Sequence, residues 1–415
     1  MLSSLPHDVL VHIIDSIDME KYPLWFFNRT AGGPELDEPD DYCLQVAFRA
    51  RWLLARALRA TCVYMRVAVL QWERLLTFAS TKRCGCSANL ASMFQRLDNV
   101  RQVDLYACAR AYRSFCMLGP NVERLALSSA SCTCEEQVSP AEGAVVCALS
   151  GSIAAIMNSK ARLTAINFKT NDIDPVCVRA LVTRYPLLLR LSMACMKITD
   201  ADVTHIAMAC PSLTHIDLTF TAVSDAGVAA LATCSRLQHV GLSLCRNVGD
   251  VGVDALATGC KLLTYLMLYG TRVGNVGMGV VSMHSVELTH VACAPGHTLL
   301  SARWPKLRFL HISGHEISVC HLAEAFPLLE HFYLTSTNLN DEAFHTLFAF
   351  ACVNLKGVEI VSCQNVSDGG ILALAKCSNL IFVHLTQTCV SEEGTRALQV
   401  ALPNLLYMNG ELHAS

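Results

Sequence analysis

The sequence predicts an α/β fold: a right-handed solenoid, bent as a horseshoe, with a parallel inner sheet and helices outside. Three observations predict it. Apolar triplets of the form L-x-x-L-x-L recur, led by Val100, Val122, Leu163, Leu188, Leu213, Leu237, Leu263, Leu288, Leu307, Leu329, Leu355, Leu380 and Leu405. Successive leads lie 22, 41, 25, 25, 24, 26, 25, 19, 22, 26, 25 and 25 positions apart, a period near 25. Two further columns hold the same register. Eight residues after the lead stand Asn171, Met196, Thr221, Cys245, Thr271, Thr337, Cys363 and Thr388, and three before it stand Cys210, Cys234, Cys260, Cys352 and Cys377. A unit of this length holds one strand and one helix and cannot bury its apolar face alone, so neighbours must stack.

The elements follow in chain order. Leu10, Ile13, Ile14 and Ile17 share one helical face, with Pro6 suited to the first turn and Asp8 to the positive dipole end. Residues 19–50, with "AGGPELDEPDD", form an acidic Gly/Pro-rich insertion expected to be disordered. A second helical stretch, "LLARALRATCVYMRVAVLQW", ends at Trp72. The domain division is therefore a helical module over 1–75 and a solenoid of about 13 units over 76–415. Within the units, Thr199-Asp200, Ser224-Asp225, Ser367-Asp368 and Ser391-Glu392 each pair a hydroxyl N-cap with an acid in the first turn. Pro186, Pro211, Pro305, Pro327 and Pro403 fall where each helix must stop. The chain closes on "GELHAS", with no evident cap for the last strand.

The strand signature at this period resembles the leucine-rich repeat. The units at Leu188, Leu213, Leu237, Leu355 and Leu380 resemble its cysteine-containing subclass, with "LQHVGLSLCRNVGD" and "LKGVEIVSCQNVSD" as the nearest matches. In front of them, "LPHDVLVHII" and the stretch ending at Trp72 resemble an F-box, the small helical module that precedes such repeats in many ubiquitin-ligase substrate receptors. Leu5, Pro6, Val9, Leu10, Ile13, Ile14, Ile17, Leu58, Cys62 and Trp72 carry that resemblance, which covers about residues 2–75. It implies that these residues bind a Skp-type adaptor and, through it, a cullin scaffold. A plain N-terminal cap for the solenoid is the other reading of the same residues.

Composition narrows the function. Hydrophobic residues make up 53% of the chain and mean hydropathy is +0.37, yet no run of about 18 apolar residues occurs, so no membrane span is expected. Net charge is −3 without a Lys/Arg stripe, which argues against nucleic acid as a partner. No secretory leader pattern accompanies the 21 cysteines, so reduced, buried thiols in cytoplasm or nucleus are expected. No P-loop, G-x-G-x-x-G, H-E-x-x-H or G-x-S-x-G motif occurs, so neither an enzyme nor a cofactor is expected. "GNVGMG" at 274–279 occupies a strand-to-helix turn. Cys84/Cys86 and Cys132/Cys134 have one intervening residue, too few for a structural zinc site.

The x positions of the triplets project from the inner sheet. One column reads His215, His239, Tyr265, His290, Phe309, His331, Gly357, Phe382 and Tyr407. Two positions on come Asp217, Gly241, Met267, Ala292, His311, Tyr333, Glu359 and His384. Exposed rings on a rigid surface are typical recognition anchors. The side chains of His215, Asp217, His239, Tyr265, Met267, His290, Phe309, His311, His331, Tyr333, Glu359 and His384 are therefore the candidate contacts for a protein substrate. A ladder that only stabilises the sheet is the alternative. The expected function is substrate recognition for a cullin-type ubiquitin ligase, against a non-catalytic cytoskeletal or ciliary scaffold, or a regulator that masks an enzyme.

Overall fold

The computed structural model describes residues 75–77, 102–107, 118–129, 153–154, 156–169, 173–293, 304–314, 322–350, 352–409 and 411–412. The chain forms two compact units, residues 1–163 with 167–169, and residues 164–166 with 170–415. In the first, β1 (Leu75–Thr77), β2 (Gln102–Ala107) and β3 (Arg124–Ser129) pair in parallel. Strand β4 (Ala165–Lys169) falls at the division.

The second unit carries ten strands paired each to the next in parallel: β5 (Arg190–Ser192), β6 (His215–Asp217), β7 (His239–Gly241), β8 (Tyr265–Met267), β9 (His290–Cys293), β10 (Phe309–Ser313), β11 (His331–Thr335), β12 (Gly357–Val361), β13 (Phe382–Thr386) and β14 (Tyr407–Met408). Each strand from β2 to β14 starts two residues after one of the thirteen leading positions. Its helices are α1 (Pro175–Arg184), α2 (Asp200–Ala209), α3 (Asp225–Leu231), α4 (Asp250–Gly259), α5 (Asn275–His284), α6 (Leu322–Ala325), α7 (Asp341–Leu347), α8 (Asp368–Ile371) and α9 (Glu392–Ala401).

Two elements differ from the sequence expectation. Strand β1 precedes the first leading position, because Glu73 stands where that unit's apolar lead would be. At the other end, β15 (Glu411–Leu412) turns back and pairs antiparallel with β14, so the last parallel strand does carry a cover. The signal was Asn409-Gly410, a dipeptide suited to a two-residue hairpin, and Asn409 does adopt φ +52°.

Alternation along the strands sets which side chains face the core. Ile216, Val240, Leu266, Val291, Leu310, Phe332, Val358 and Val383 are all buried on the helix side of the sheet. Neighbouring units are then joined at three places. On the helix-start side, Asp200, Asp225, Asp250, Asp341 and Asp368 each accept hydrogen bonds from the N-cap of the next helix. Asp200 takes the Ser224 N–H at 2.8 Å and its hydroxyl at 2.6 Å, and Asp225 takes the Gly249 N–H at 2.6 Å. Asp250, Asp341 and Asp368 repeat the bond to Gly274, Ser367 and Ser391. The carboxylate needs room, and a β-carbon at Gly252 or Gly277 would lie 2.7 or 2.6 Å from the Asp225 or Asp250 oxygen.

At the helix ends the thiols of Cys210, Cys234 and Cys260 donate to carbonyls of the preceding unit, at 3.5–3.8 Å. Burial pushes the Cys210 thiol up to about 11 and the Cys260 thiol up to about 12, so both stay protonated donors. After the strands, Cys195, Phe220, Leu244, Ser336, Ser362 and Gln387 adopt φ between 53° and 62°. That left-handed backbone costs a non-glycine residue about 1–2 kcal/mol. The bonds it allows offset the cost: the Cys195, Phe220, Ser336 and Ser362 N–H groups each donate to a carbonyl of the next unit at 2.8 Å.

Candidate functional site

The sheet face turned away from the helices is where the predicted contact residues come together. Parallel pairing in register puts His215 beside His239, His239 beside Tyr265, Tyr265 beside His290, His290 beside Phe309 and Phe309 beside His331. Their rings stack as a row. Centroids are 3.9 Å apart for His215–His239, 5.2 Å for His239–Tyr265, 5.5 Å for Tyr265–His290 and 5.7 Å for His290–Phe309. Tyr333 meets Phe309 edge-on at 4.9 Å, and Tyr269 stacks on His311 at 5.6 Å. Tyr269 was absent from the predicted set because it lies two residues past its triplet's second column.

These rings are less open than the sequence reading expected. None of the twelve candidate contacts is fully exposed; His215, Phe309 and Glu359 are buried, and the others are half-buried. The reason is strand spacing. At about 4.8 Å between strands, flat rings in register cover each other's faces and leave only edges to solvent. Gly357 interrupts the row, and the His331 and Phe382 rings close over it: a β-carbon there would lie 2.6 Å from His331 Nδ1.

The hydrogen bonds fix the imidazole tautomers. The Thr214 hydroxyl donates to Leu189 O at 2.9 Å, so its oxygen must accept from His215 Nδ1–H at 2.8 Å. Thr289 does the same, donating to Thr264 O at 2.9 Å and accepting from His290 Nδ1–H at 2.9 Å. Both rings therefore carry their acceptor nitrogen at Nε2 when neutral. Neutral they remain. Burial, then the neighbouring His239 and Arg190 charges, hold His215 down to about 3. Burial and nearby cationic groups hold His239 and His290 down to about 4.

Asp217 is the acid of this face. Its carboxylate accepts from the Thr219 N–H at 3.0 Å and the Ser192 hydroxyl at 3.2 Å. It leans across Gly241, where a β-carbon would lie 2.7 Å from Oδ1. Burial holds its carboxyl above the usual range, only partly offset by those donors. Along one margin of the face, Glu330 accepts from Arg308 at 2.5 Å and from Lys356 at 2.7 Å, so both cations are paired.

The remaining predicted positions stand as follows. Leu5, Pro6, Val9, Leu10, Ile13, Ile14, Ile17, Leu58, Cys62 and Trp72 lie outside the described residues, as do Cys84, Cys86, Cys132 and Cys134. "GNVGMG" starts α5, with Gly274 as its N-cap. Among the described residues no group of three or more metal-ligating side chains converges, and no helix is long and apolar enough to cross a membrane. Eleven described cysteines are free thiols.

The Leucine Rich repeat family matches residues 209–232, a span from the end of α2 into the turn after α3. No curated protein matches the chain. Similar solved structures include TLR13 in its complex with ssRNA13, at 16% identity and TM-score 0.43; the match covers 74% of this chain but 40% of that one. Also similar are an internalin, InlF, of Listeria monocytogenes, at 13% identity, TM-score 0.47 and coverage of 78% and 94%, and the yeast Rad7 and Elc1 complex, at 14% identity, TM-score 0.49 and coverage of 90% and 93%. The strand-plus-helix repeats of the second unit, with their strands paired in parallel, together with the matched repeat, give the leucine-rich-repeat fold.

Proposed function

We propose that the chain is a non-catalytic substrate-recognition subunit of an SCF-type ubiquitin ligase, acting in cytoplasm or nucleus. The ring-lined sheet face captures a protein substrate, and residues 2–75 dock a Skp-type adaptor and, through it, a cullin. The observation that carries the recognition role is the unbroken row of rings over consecutive strands from His215 to Phe309. A row of this kind is rigid before a partner arrives, so binding costs little ordering entropy. The adaptor role is supported by the F-box resemblance of the opening residues. Such a subunit makes no bonds; it holds cargo near transfer machinery, and its contribution is proximity.

A pull-down tests both halves. The wild-type chain should recover adaptor and cullin, and Leu10→Glu with Ile14→Glu should lose them while keeping the substrate. His215→Ala, His239→Ala and Tyr265→Ala together should lose the substrate while keeping the adaptor. A wild-type chain that recovers neither adaptor nor cullin makes this a scaffold and ends the ligase assignment.

A further inference from the structure

Asp217 is an acid with no cationic partner. Its donors are the Ser192 and Thr219 hydroxyls and the Thr219 N–H, all uncharged, and among the described residues no Lys, Arg or His forms an ion pair with it. Arg190 stands on the adjacent strand in register with His215, a row away, while Arg308 and Lys356 are both held by Glu330. Ionising a carboxyl partly out of water without a counter-charge is costly, so a bound cation would favour the ionised form, and a carboxylate has lone-pair sites for more than the three bonds made here. Gly241 keeps the next strand clear beneath it, so the carboxylate reaches toward Tyr265 and Met267 on β8. Burial and then the Asp217 charge push the Tyr265 phenol above its ordinary value, which places the two groups in one electrostatic neighbourhood. The fixed tautomer of His290 adds an acceptor nitrogen at Nε2. The lining is therefore acceptors set among rings and a thioether.

We propose that this face takes an arginine-bearing segment of its protein partner, with the guanidinium seated on the Asp217 carboxylate over Gly241 between Tyr265 and Met267. Arginine fits better than lysine. Its planar N–H pairs match a carboxylate side by side, and it is hydrated weakly enough to enter a half-buried, ring-walled position. The inference rests on the sheet face being the protein-binding surface, not on the ligase assignment.

The probe is a fluorescein-labelled nonapeptide of glycine and serine with a central Trp-Arg-Trp, titrated into the full chain and read by anisotropy. Matched peptides carry lysine, glutamate, or citrulline, the neutral isostere of arginine. The arginine peptide should bind at least tenfold more tightly than the citrulline and glutamate peptides, and several-fold more tightly than the lysine peptide. Asp217→Asn should remove that preference. Gly241→Ala, which keeps the charge but displaces the carboxylate, should remove most of it, and serves if the first variant fails to fold. Equal binding of arginine and citrulline peptides overturns the proposal. So does binding of none of them, or an undiminished preference in Gly241→Ala. Adaptor recovery in the pull-down is independent of every one of these outcomes.

Discussion

Units 188 to 288 and the two short units after them solve the same stacking problem with different side chains. In the units led by Leu188, Leu213 and Leu237, helices of seven to ten residues start on aspartate staples and are followed by a cysteine whose thiol donates to the preceding unit. At Leu288 the spacing drops to 19, then 22, and both devices change from the unit just before it, led by Leu263. The first helical residue becomes Asn275, and the next aspartate of the series is Asp341. The cysteine column reads Ser285, Trp304 and Phe326 before it returns to Cys352. Trp304 is fully buried and stacks on Phe326 with centroids 6.1 Å apart. Where the chain supplies less backbone per unit, side-chain volume fills the layer instead. A four-residue α6 needs aromatic neighbours where a ten-residue α4 needs only a thiol.

The sharpest way to break this comparison is Trp304→Ala. If the indole substitutes for helix, its loss leaves a cavity that short units cannot close, and stability should fall by about 3–5 kcal/mol. The equivalent truncation in the long units, Cys260→Ala, should cost about 1–2 kcal/mol, since it removes one small group and its weak hydrogen bonds. Urea unfolding of both variants checks the ratio; equal losses would mean that the indole is not a structural replacement.

Acid is the next lever, because the histidine row belongs mostly to the long units. Folded His215 sits at about 3 and His239 at about 4, below the ordinary 6.5. The unfolded chain therefore takes up protons first as pH falls. The stability held by neutral rings is complete above about 6.5 and is lost as pH drops toward 4. Between pH 7 and pH 5 the wild type should lose about 4 kcal/mol more, roughly 2 per histidine, than a His215→Phe, His239→Phe variant, which keeps the stack without the proton sites. Identical pH profiles would show that the row contributes nothing through its neutrality.

Much of this was legible in the sequence, and the gaps have physical causes. The thirteen leads placed β2 to β14 because a buried apolar triplet cannot shift without exposing itself. Ser224, Ser367 and Ser391 were legible as caps for the same local reason. The aspartates were read only as acids favouring a helix dipole. That Asp225 reaches Gly249, 24 residues on, depends on stacking geometry that no local pattern encodes. Glycine at the third helical position was the available clue: Gly227, Gly252, Gly277, Gly370 and Gly394 all face such a carboxylate. The two ring columns share one sheet face in register, as the triplets imply, but their mutual burial is not legible, because ring-on-ring coverage appears only once the strands are side by side.

That glycine column gives a sharper contrast inside one helix. Gly277 and Gly279 are two residues apart on α5. A β-carbon at Gly277 would meet Asp250 Oδ1 at 2.6 Å and its backbone Cα at 3.1 Å, while one at Gly279 would meet nothing within 4 Å. Gly277→Ala should therefore destabilise by about 1–3 kcal/mol through overpacking. Gly279→Ala should stabilise by about 0.5–1 kcal/mol, the ordinary helical gain. If both substitutions stabilise, the staple is too soft to set the spacing between units.

The smallest effect lies at the junction itself. The Ser285 hydroxyl is fully buried with no hydrogen-bond partner among the described residues, at the position where the preceding units carry a donating thiol. A buried hydroxyl without a partner keeps its desolvation penalty and gains nothing in return. Ser285→Ala should thus raise the urea midpoint, by about 1 kcal/mol in stability, and Ser285→Cys should do at least as well by restoring the column. The two variants separate the explanations. A gain in both means that the hydroxyl is the fault, whereas a gain only in Ser285→Cys means that the thiol's volume and bonds are what the long units depend on. A loss in both would show that Ser285 already suits the change of layer, and that the switch from cysteine to aromatic packing begins one unit before the spacing contracts.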